Sequence, residues 1–133
     1  MTKKGLLLVG HGSSLPYNQE LLDSTAAAIE KNYPEFIVKS GFMRVNKPTI
    51  QDALDAFRKE PISALAVVPL FLAKGVHIDQ DIPKRIGFPE GVTKGTFILN
   101  GKSIPRVYAD PIGVDPLLAD LMIRNADSAL ALI

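Results

Sequence analysis

The sequence predicts an α/β domain built on a central parallel sheet, and three observations support this fold class. Near-continuous apolar runs at residues 6–9 and 62–72 are typical of strands that are buried on both faces. Strand-like and helix-like segments alternate along the chain, which is the pattern of parallel strands joined by helical crossovers. A histidine follows each of the two apolar runs, so both histidines are expected at the same rim of the sheet.

Length and composition limit the possible protein classes. The 133 residues form one domain, 1–133, long enough to bury roughly two-thirds of its unfolded surface. The apolar runs are far shorter than the ~20 residues that span a bilayer, and the amino-terminal run is too short for a secretory signal. We therefore expect a cytoplasmic protein without a membrane partner. With 15 basic and 14 acidic residues, the chain has no broad cationic surface, which argues against nucleic acid as a partner.

The first strand ends in the segment Gly10-His11-Gly12-Ser13-Ser14. Glycine on each side of a histidine permits backbone angles and close ligand approach that a β-carbon would obstruct. The same pattern also suits an ordinary strand-to-helix turn, and both interpretations stand at this point. The segment lacks the arginine of an Arg-His-Gly phosphohistidine signature and the Gly-Lys-Ser/Thr ending of a phosphate loop.

The next elements follow in alternation. Ser14 and Pro16 are interpreted as the cap and early proline of a helix whose apolar spacing continues to Pro34. Residues 36–43 predict the second strand. Thr49 and Asp52 predict a capping box at the start of the second helix, which ends before Pro61.

The second half of the chain begins with a third strand at residues 62–72, followed by the loop that carries His77. Residues 88–104, with the turn Asn100-Gly101, predict an inserted hairpin before a fourth core strand at residues 106–109. A last helix begins at Asp115-Pro116, with an inward apolar stripe of Leu118, Leu121, Met122 and Ala129. The expected fold is a flavodoxin-like, four-stranded parallel sheet of order 2-1-3-4, with helices on both faces.

Five segments together carry a family resemblance: Val9-Gly10-His11-Gly12-Ser13, Pro48-Thr49-Ile50, Val67-Val68-Pro69-Leu70-Phe71-Leu72, Gly75-Val76-His77-Ile78-Asp79-Gln80-Asp81-Ile82-Pro83 and Pro111-Ile112-Gly113-Val114-Asp115. In this order and combination the chain resembles the short class II tetrapyrrole chelatases, the CbiX-type sirohydrochlorin chelatases of archaea. The resemblance implies a chelatase-like fold and ATP-independent insertion of Co²⁺ into sirohydrochlorin in cobalamin biosynthesis. It also leaves open insertion of Ni²⁺ for coenzyme F430, in either case by a lyase that forms nitrogen–metal bonds and has no tightly bound cofactor.

The resemblance assigns metal contact and catalysis to His11 and His77. Neutral imidazole is suited to these roles, because it can ligate cobalt or nickel and can accept a pyrrole proton. An ordinary loop histidine near a helix start is the alternative for His77. Asp79 and Asp81 are interpreted as partners that orient His77, or as helix caps. Many relatives carry a glutamate where this chain has Arg44.

The flat, polycarboxylate macrocycle requires apolar walls and cations at the rim. The residues expected to bind it are Ser13, Leu15, Arg44, Phe71, Leu72, Lys74, Gly75 and Val76. Lys84 and Arg85 are further candidate cations. Ser13 and Ser14 are interpreted as turn and cap hydroxyls rather than nucleophiles.

A homodimer is expected because one domain offers only two histidines and one rim. Two copies related by a twofold axis would bring both histidine pairs to a shared cleft. The longer relatives resemble two such domains fused in one chain, which also favours a homodimer. The final helix, or the rim near Leu15 and Tyr17, is the expected contact surface. Two competing functions are a non-catalytic tetrapyrrole or metal carrier and a phosphate-ester hydrolase that uses His11.

Overall fold

The computed structural model describes residues 3–133 and contains a five-stranded sheet of order β2-β1-β3-β5-β4. The strands are β1 (Lys3–Gly10), β2 (Phe36–Phe42), β3 (Ile62–Pro69), β4 (Lys94–Leu99) and β5 (Lys102–Tyr108). Strands β2, β1, β3 and β5 are parallel, and β4 pairs antiparallel with β5. The predicted α/β class and the order of the four parallel strands are confirmed, since the fourth predicted core strand is β5.

The helical elements are α1 (Tyr17–Asn32), α2 (Ile50–Phe57), a π-turn (His77–Asp81) that continues into α3 (Ile82–Arg85), and α4 (Pro116–Leu130). The capping box at the start of α2 is confirmed: Thr49 N donates to the Asp52 carboxylate, and Asp52 N donates to the Thr49 hydroxyl. Helix α1 begins after Pro16 without a side-chain cap, so the predicted capping by Ser14 is wrong. Within residues 3–133, no helix has the length and apolar character to cross a membrane.

The hairpin belongs to the main sheet rather than standing apart from it. Strand β5 starts at Lys102, whereas the sequence placed the core strand at residues 106–109 and assigned residues up to 104 to an insertion. Asn100 and Gly101 have φ values of 51° and 75°, as a tight hairpin turn requires. The sequence pattern placed the start of β5 too late because one face of the strand is exposed. Its first half therefore resembles a polar loop.

The two faces of the sheet have separate cores. We call the side covered by α2, the π-turn and α3 the α2 face; its core includes Leu7, Leu65, Val67 and Phe57. The opposite side is the α1 face, where Leu8, Leu22, Val38 and Phe42 are buried. Alternation along each strand assigns side chains to one face or the other. The confirmed placement of helices on both faces leaves the carboxyl ends of β1 and β3 open at one rim.

Helix α4 does not pack against its own sheet. No residue of α4 is buried, so the predicted inward packing of Leu118, Leu121, Met122 and Ala129 is wrong. Leu121 is 41% exposed and Met122 is 57% exposed. An apolar stripe indicates that a helix packs against a surface, but it carries no information about which chain supplies that surface.

Candidate active site at the carboxyl rim of the sheet

The two histidines of the chain lie side by side. His11 directly follows β1, and His77 is the first residue of the π-turn that follows β3. Because β1 and β3 are neighbouring parallel strands, their carboxyl ends meet at the same rim. The ring centroids of His11 and His77 are 4.8 Å apart, with an angle of 64° between the rings. The topology therefore joins two residues that are far apart in sequence into one imidazole pair.

The aromatic ring of Phe71 lies close to both imidazole rings. Its ring centroid lies 6.5 Å from that of His11 and 6.4 Å from that of His77. Phe71 is partly buried, and it packs against the core of the α2 face. The interplanar angles are 73° with His11 and 51° with His77, so Phe71 is an apolar aromatic neighbour of both imidazoles in edge-to-face or tilted geometry.

A carboxylate orients His77. Its Nδ1 lies 2.7 Å from Oδ2 of Asp81, one turn later in the helix. A carboxylate oxygen accepts, so His77 in its neutral form carries its proton on Nδ1 and presents the lone pair of Nε2. Metal-binding histidines commonly have such a carboxylate partner, which fixes the tautomer and the ring orientation. The side chain of His77 is 47% exposed, so Nε2 can be approached from solvent.

The backbone orients His11 in the same way. Its Nδ1 lies 3.1 Å from the carbonyl oxygen of Gly12, which can only accept a hydrogen bond. In its neutral form His11 therefore also carries its proton on Nδ1 and has a free lone pair on Nε2. The two adjacent imidazoles have the same tautomer, and each has one nitrogen available to a divalent cation.

Glycine is required at position 12 by close backbone packing. Gly12 has φ +90°, and a β-carbon there would lie 1.8 Å from the carbonyl oxygen of Arg44. The Arg44 carbonyl itself accepts from Asn46 N at 2.7 Å, across Val45, which has φ 67°. The glycine predicted to permit close ligand approach thus permits close approach of the 44–46 turn to the His11 loop.

Two asparagines that the sequence interpretation missed hold this loop. Asn18 Oδ1 accepts from Gly12 N at 2.9 Å, and Asn46 Oδ1 accepts from Ser13 N at 2.7 Å. Asn46 also donates to the side chain of Gln19 at 3.3 Å. The only local signal was a tendency of Asn to satisfy backbone groups in turns, which does not identify the partner.

The residues predicted to bind the substrate are distributed around the same rim. The side chains of Leu15, Leu72 and Val76 are 60–65% exposed, and Arg44 and Lys74 are also exposed. Ser13 Oγ accepts from Leu15 N at 3.1 Å, so the hydroxyl has the turn role expected from the sequence. The carbonyl oxygen of Gly75 accepts a hydrogen bond from Asp79 N at 3.0 Å, within the loop that carries His77. Lys84 and Arg85 share a surface depression with Asp81.

Asp79 and Asp81, which the sequence treated alike, have different surroundings. Within residues 3–133, Asp81 is the carboxylate hydrogen-bonded to His77, whereas Asp79 lines a depression with Tyr108 and Asp110. The Tyr108 hydroxyl donates a buried, 2.8 Å hydrogen bond to the carbonyl oxygen of Ile78. Burial, with a smaller effect of the nearby Asp79 and Asp110, raises the pKa of Tyr108 to about 12. Tyr108 therefore anchors the π-turn that carries His77, a role the sequence did not indicate.

The two imidazoles are the nitrogen donors of the candidate site. Across residues 3–133, no group of three or more His, Cys, Asp or Glu side chains converges to hold a metal ion. The paired imidazoles supply two nitrogen donors of intermediate softness, which suit cobalt and nickel. A divalent ion bound by these two nitrogens alone would keep coordination positions open for other ligands.

Comparison with known proteins identifies the family. The CbiX family model matches residues 5–129. The chain belongs to the CbiX family. Two curated members are the sirohydrochlorin cobaltochelatases of Methanosarcina barkeri and Methanosarcina acetivorans, which are 41% and 43% identical to this chain. In each comparison the alignment covers 98% of this chain and 100% of the relative.

Solved structures of family members and related chelatases share the fold. The sirohydrochlorin chelatase SirB of Bacillus subtilis subspecies spizizenii, solved in complex with cobalt, superposes with a TM-score of 0.77 at 25% identity. The match covers 96% of this chain and 51% of SirB, so this chain spans about half of that protein. A CbiX protein of Marinobacter aquaeolei VT8 has a TM-score of 0.70 at 22% identity, with 98% of this chain and 99% of that chain covered. The second likeness concerns the fold alone.

Proposed function

We propose that this protein is a sirohydrochlorin cobaltochelatase, which inserts Co²⁺ into sirohydrochlorin without ATP in cobalamin biosynthesis. The single observation that carries the proposal is the His11–His77 pair, with ring centroids 4.8 Å apart and both Nδ1 atoms bonded to oxygen acceptors. Full-length relatives at 41% and 43% identity bear this name. The reaction makes the protein a lyase that forms nitrogen–metal bonds.

The two imidazoles have a double role in this proposal. Their Nε2 lone pairs bind the incoming cation and replace part of its water shell. Insertion of one divalent ion releases two pyrrole protons from the macrocycle. Each imidazole that gives up the metal regains a free Nε2, which accepts one of these protons. The metal is therefore a substrate, and the protein needs no tightly bound cofactor.

The rim provides a surface for the macrocycle. Leu15, Leu72 and Val76 are exposed apolar side chains in the loops that carry the histidines, and the Phe71 ring is next to both imidazoles. Such a surface suits the flat face of a tetrapyrrole. The carboxylates at the edge of sirohydrochlorin would meet the exposed cations Arg44, Lys74, Lys84 and Arg85, with Ser13 and Gly75 at the loop backbone.

The second substrate metal in this proposal is Ni²⁺. Imidazole donors bind Ni²⁺ more tightly than Co²⁺, so metal supply in the cell, rather than the site, selects the product. In the presence of Ni²⁺ the same chain would produce the nickel complex that leads to coenzyme F430. The proposed location of this chemistry is the cytoplasm.

The proposed active form is a homodimer with a shared site. The side chain of His77 is 47% exposed, so one side of the imidazole pair is open to solvent. A macrocycle lying on this rim would remain uncovered on its other face. A second copy facing the first would cover that face and exclude water, which strengthens the electrostatic contacts to the metal.

The deciding experiment is anaerobic metal insertion, followed by the absorption change of sirohydrochlorin, with Co²⁺, Ni²⁺ and Fe²⁺ in parallel. We expect rapid insertion of Co²⁺, and loss of at least about 100-fold in rate in His11→Ala and His77→Ala, since each removes a metal ligand and a proton acceptor. The matched control is Tyr33→Phe, on an exposed residue at the end of α1. A protein that binds sirohydrochlorin but leaves metallation at the uncatalysed rate would be a carrier. Turnover of a generic phosphate ester would instead support the hydrolase interpretation.

A further inference from the structure

Arg106 on β5 is a half-buried cation without an anionic partner. Within residues 3–133, no carboxylate forms an ion pair with it, and the hydrogen bonds donated by arginine side chains belong to Arg58. The Nε atom of Arg106 is buried and has no hydrogen-bond acceptor in this part of the chain. Burial lowers the pKa of Arg106, and repulsion from Arg58 lowers it further. Five N–H donors therefore lack acceptors, in surroundings that disfavour the positive charge.

Two buried phenylalanine rings lie next to this guanidinium. Its Cζ atom is 4.6 Å from the ring centroid of Phe88 and 5.9 Å from that of Phe97. Phe88 in turn packs so closely on β4 that a β-carbon at Gly95 would lie 2.6 Å from its ring. Cation–π attraction favours a positive charge beside these rings, but it supplies no acceptor oxygen for the N–H groups. The contacts of Arg106 within the chain are therefore aromatic ones.

Arg58 places a second guanidinium at the same aromatic ring. Its Cζ atom lies 4.5 Å from the ring centroid of Phe97, and its Nη1 donates to the carbonyl oxygen of Ile98. Its Nε is 3.4 Å from the carboxylate of Asp55, in a pair whose side chains are 43% and 60% exposed. An ion pair that is so exposed is weak. Two guanidiniums near Phe97 thus have one weak ion pair between them, and Nη2 of Arg58 makes no hydrogen bond within residues 3–133.

The turn after α3 leaves space beside the terminal nitrogens of Arg106. Gly87 is exposed and has a φ of +80°. A β-carbon at Gly87 would have a single neighbour within 4 Å, the Nη2 atom of Arg106 at 4.0 Å. A guanidinium binds two oxygens of a phosphate or carboxylate through parallel N–H bonds from its planar fork. The open side of Arg106 therefore suits an oxyanion.

This cluster lies apart from the histidine rim. Its members, which we call the arginine–phenylalanine cluster, are Arg58, Phe88, Phe97 and Arg106. Arg58 follows α2 and precedes β3, so it lies at the amino edge of the parallel strands. His11 and His77 follow β1 and β3, at the opposite, carboxyl edge. A ligand of the cluster would therefore occupy a site separate from the proposed active site.

From this geometry we propose that the arginine–phenylalanine cluster binds a phosphate group, with two oxygens on the Nη atoms of Arg106 and a third on Nη2 of Arg58. A phosphate group carries about −1.5 to −2 charge and three acceptor oxygens, which supply what the two guanidiniums lack. A carboxylate has two oxygens, enough for one guanidinium. The ligand is inorganic phosphate or a phosphate monoester, which share this chemistry. The site is independent of metal insertion.

Titration of the isotope-labelled, metal-free protein with inorganic phosphate, followed by NMR, tests the site. Chloride keeps the ionic strength constant, so that general screening does not change. We expect saturable shifts of the Arg106 Nε–H and of the backbone amides of Gly87 and Gly95. The amides of Gly12 and Gly75, in the histidine loops, should stay unchanged. Shifts that do not saturate, or that are confined to the histidine loops, would overturn the proposal.

Variants separate the fork of Arg106 from net charge. Arg106→Gln should weaken phosphate binding at least about 10-fold, and Arg106→Lys, which keeps the charge but not the fork, at least about 5-fold. Arg58→Gln should weaken it at least about 3-fold, and this change on a partly exposed side chain keeps the test decisive if the Arg106 variants do not fold. Lys59→Gln, on an exposed residue, is the matched control and should bind as the unaltered chain does. Equal weakening in Lys59→Gln and Arg58→Gln would contradict the site.

Two further probes identify the ligand class. Acetate should bind at least about 5-fold more weakly than phosphate, because its two oxygens serve one guanidinium. Acetate that binds as tightly as phosphate would overturn the assignment to a phosphate group. Methyl phosphate distinguishes the two sources: binding as tight as that of inorganic phosphate supports a monoester, and weaker binding supports the free ion.

Thermal unfolding supplies an independent measurement. A ligand that binds the folded state alone raises the Tm. Phosphate also stabilises folded proteins in general, because it is excluded from their surface. The general effect is the same in the unaltered chain and in Arg106→Gln, so we expect the larger rise in the unaltered chain. Equal rises in Tm would contradict a specific site at Arg106.

Discussion

The hydroxyl of Tyr108 at the end of β5 donates a hydrogen bond to the carbonyl oxygen of Ile78, at 2.8 Å, in the π-turn that carries His77. This bond joins the last parallel strand to the residue next to the proposed metal ligand. Tyr108 is 9% exposed, so the carbonyl lies in a site with little access to water. The position of one histidine of the pair thus depends on a strand that is distant in sequence.

Replacing Tyr108 by Phe should lower the free energy of unfolding by about 1–3 kcal/mol, because the buried Ile78 carbonyl would lose its donor. Urea unfolding measures this change. Tyr33→Phe, on a 57% exposed residue, is the control and should change stability by less than about 0.5 kcal/mol. Equal effects of the two changes would show that the Tyr108 hydrogen bond does not stabilise the π-turn.

The pKa of Tyr108, raised to about 12 by burial, predicts a loss of stability in alkali. Above pH ~10 the unfolded chain releases the phenol proton while the folded chain still holds it. Deprotonation therefore lowers the free energy of the unfolded state relative to the folded state. The contribution is complete below pH ~10 and disappears as the pH rises towards 12. The free energy of unfolding, measured from pH 8 to 11.5, should therefore decline more steeply for the unaltered protein than for Tyr108→Phe. Parallel profiles would contradict the assignment.

Asp81→Asn should weaken Co²⁺ binding by about 10–100-fold, because the amide is a poorer acceptor for the His77 Nδ1 proton and no longer favours a single ring orientation. Calorimetric titration with Co²⁺ measures the affinity, and the insertion rate should fall with it. Asp79→Asn is the matched control, since Asp79 faces Tyr108 rather than His77. Comparable losses in the two variants would indicate a general charge effect instead of orientation by Asp81.

Gly12→Ala should destabilise the fold by more than about 2 kcal/mol, since it adds a clash with the Arg44 carbonyl to the cost of a positive φ. Gly101→Ala separates the two causes. Gly101 also has a positive φ, 75°, but no atom lies within 4 Å of the β-carbon that would be added. We expect Gly101→Ala to cost about 1–2 kcal/mol in urea unfolding. If the two variants were equally stable, the approach of Arg44 to Gly12 would be unimportant.

The sequence was sufficient for the parts of the fold that depend on local patterns. The buried runs of β1 and β3 and the capping box of Thr49 and Asp52 follow rules of spacing that act over a few residues. The proximity of His11 and His77 was also predictable, because both follow central parallel strands. These features need no knowledge of the contacts made by individual side chains.

Other features depend on contacts between distant residues and left no local signal. The bond between Tyr108 and Ile78 and the support of Ser13 by Asn46 join residues about 30 apart in the chain. Their partners are set by the sheet order and by loop geometry. The direction of α4 was missed for a different reason, since an amphipathic stripe is the same whether the helix packs on its own sheet or on another copy.

The hydrogen bonds that hold the His11 loop affect turnover. Asn18 and Asn46 bind successive backbone amides of this loop, and Gly12 lies against the Arg44 carbonyl. The loop therefore loses its conformational entropy when the chain folds, and no ordering cost remains when a metal ion arrives. Because the His11 loop is already ordered, an ion that binds adds little rigidity to it, and the loop loses little rigidity when the ion leaves. In the proposed function, metal would pass through this site repeatedly without partial unfolding and refolding of the protein in each cycle.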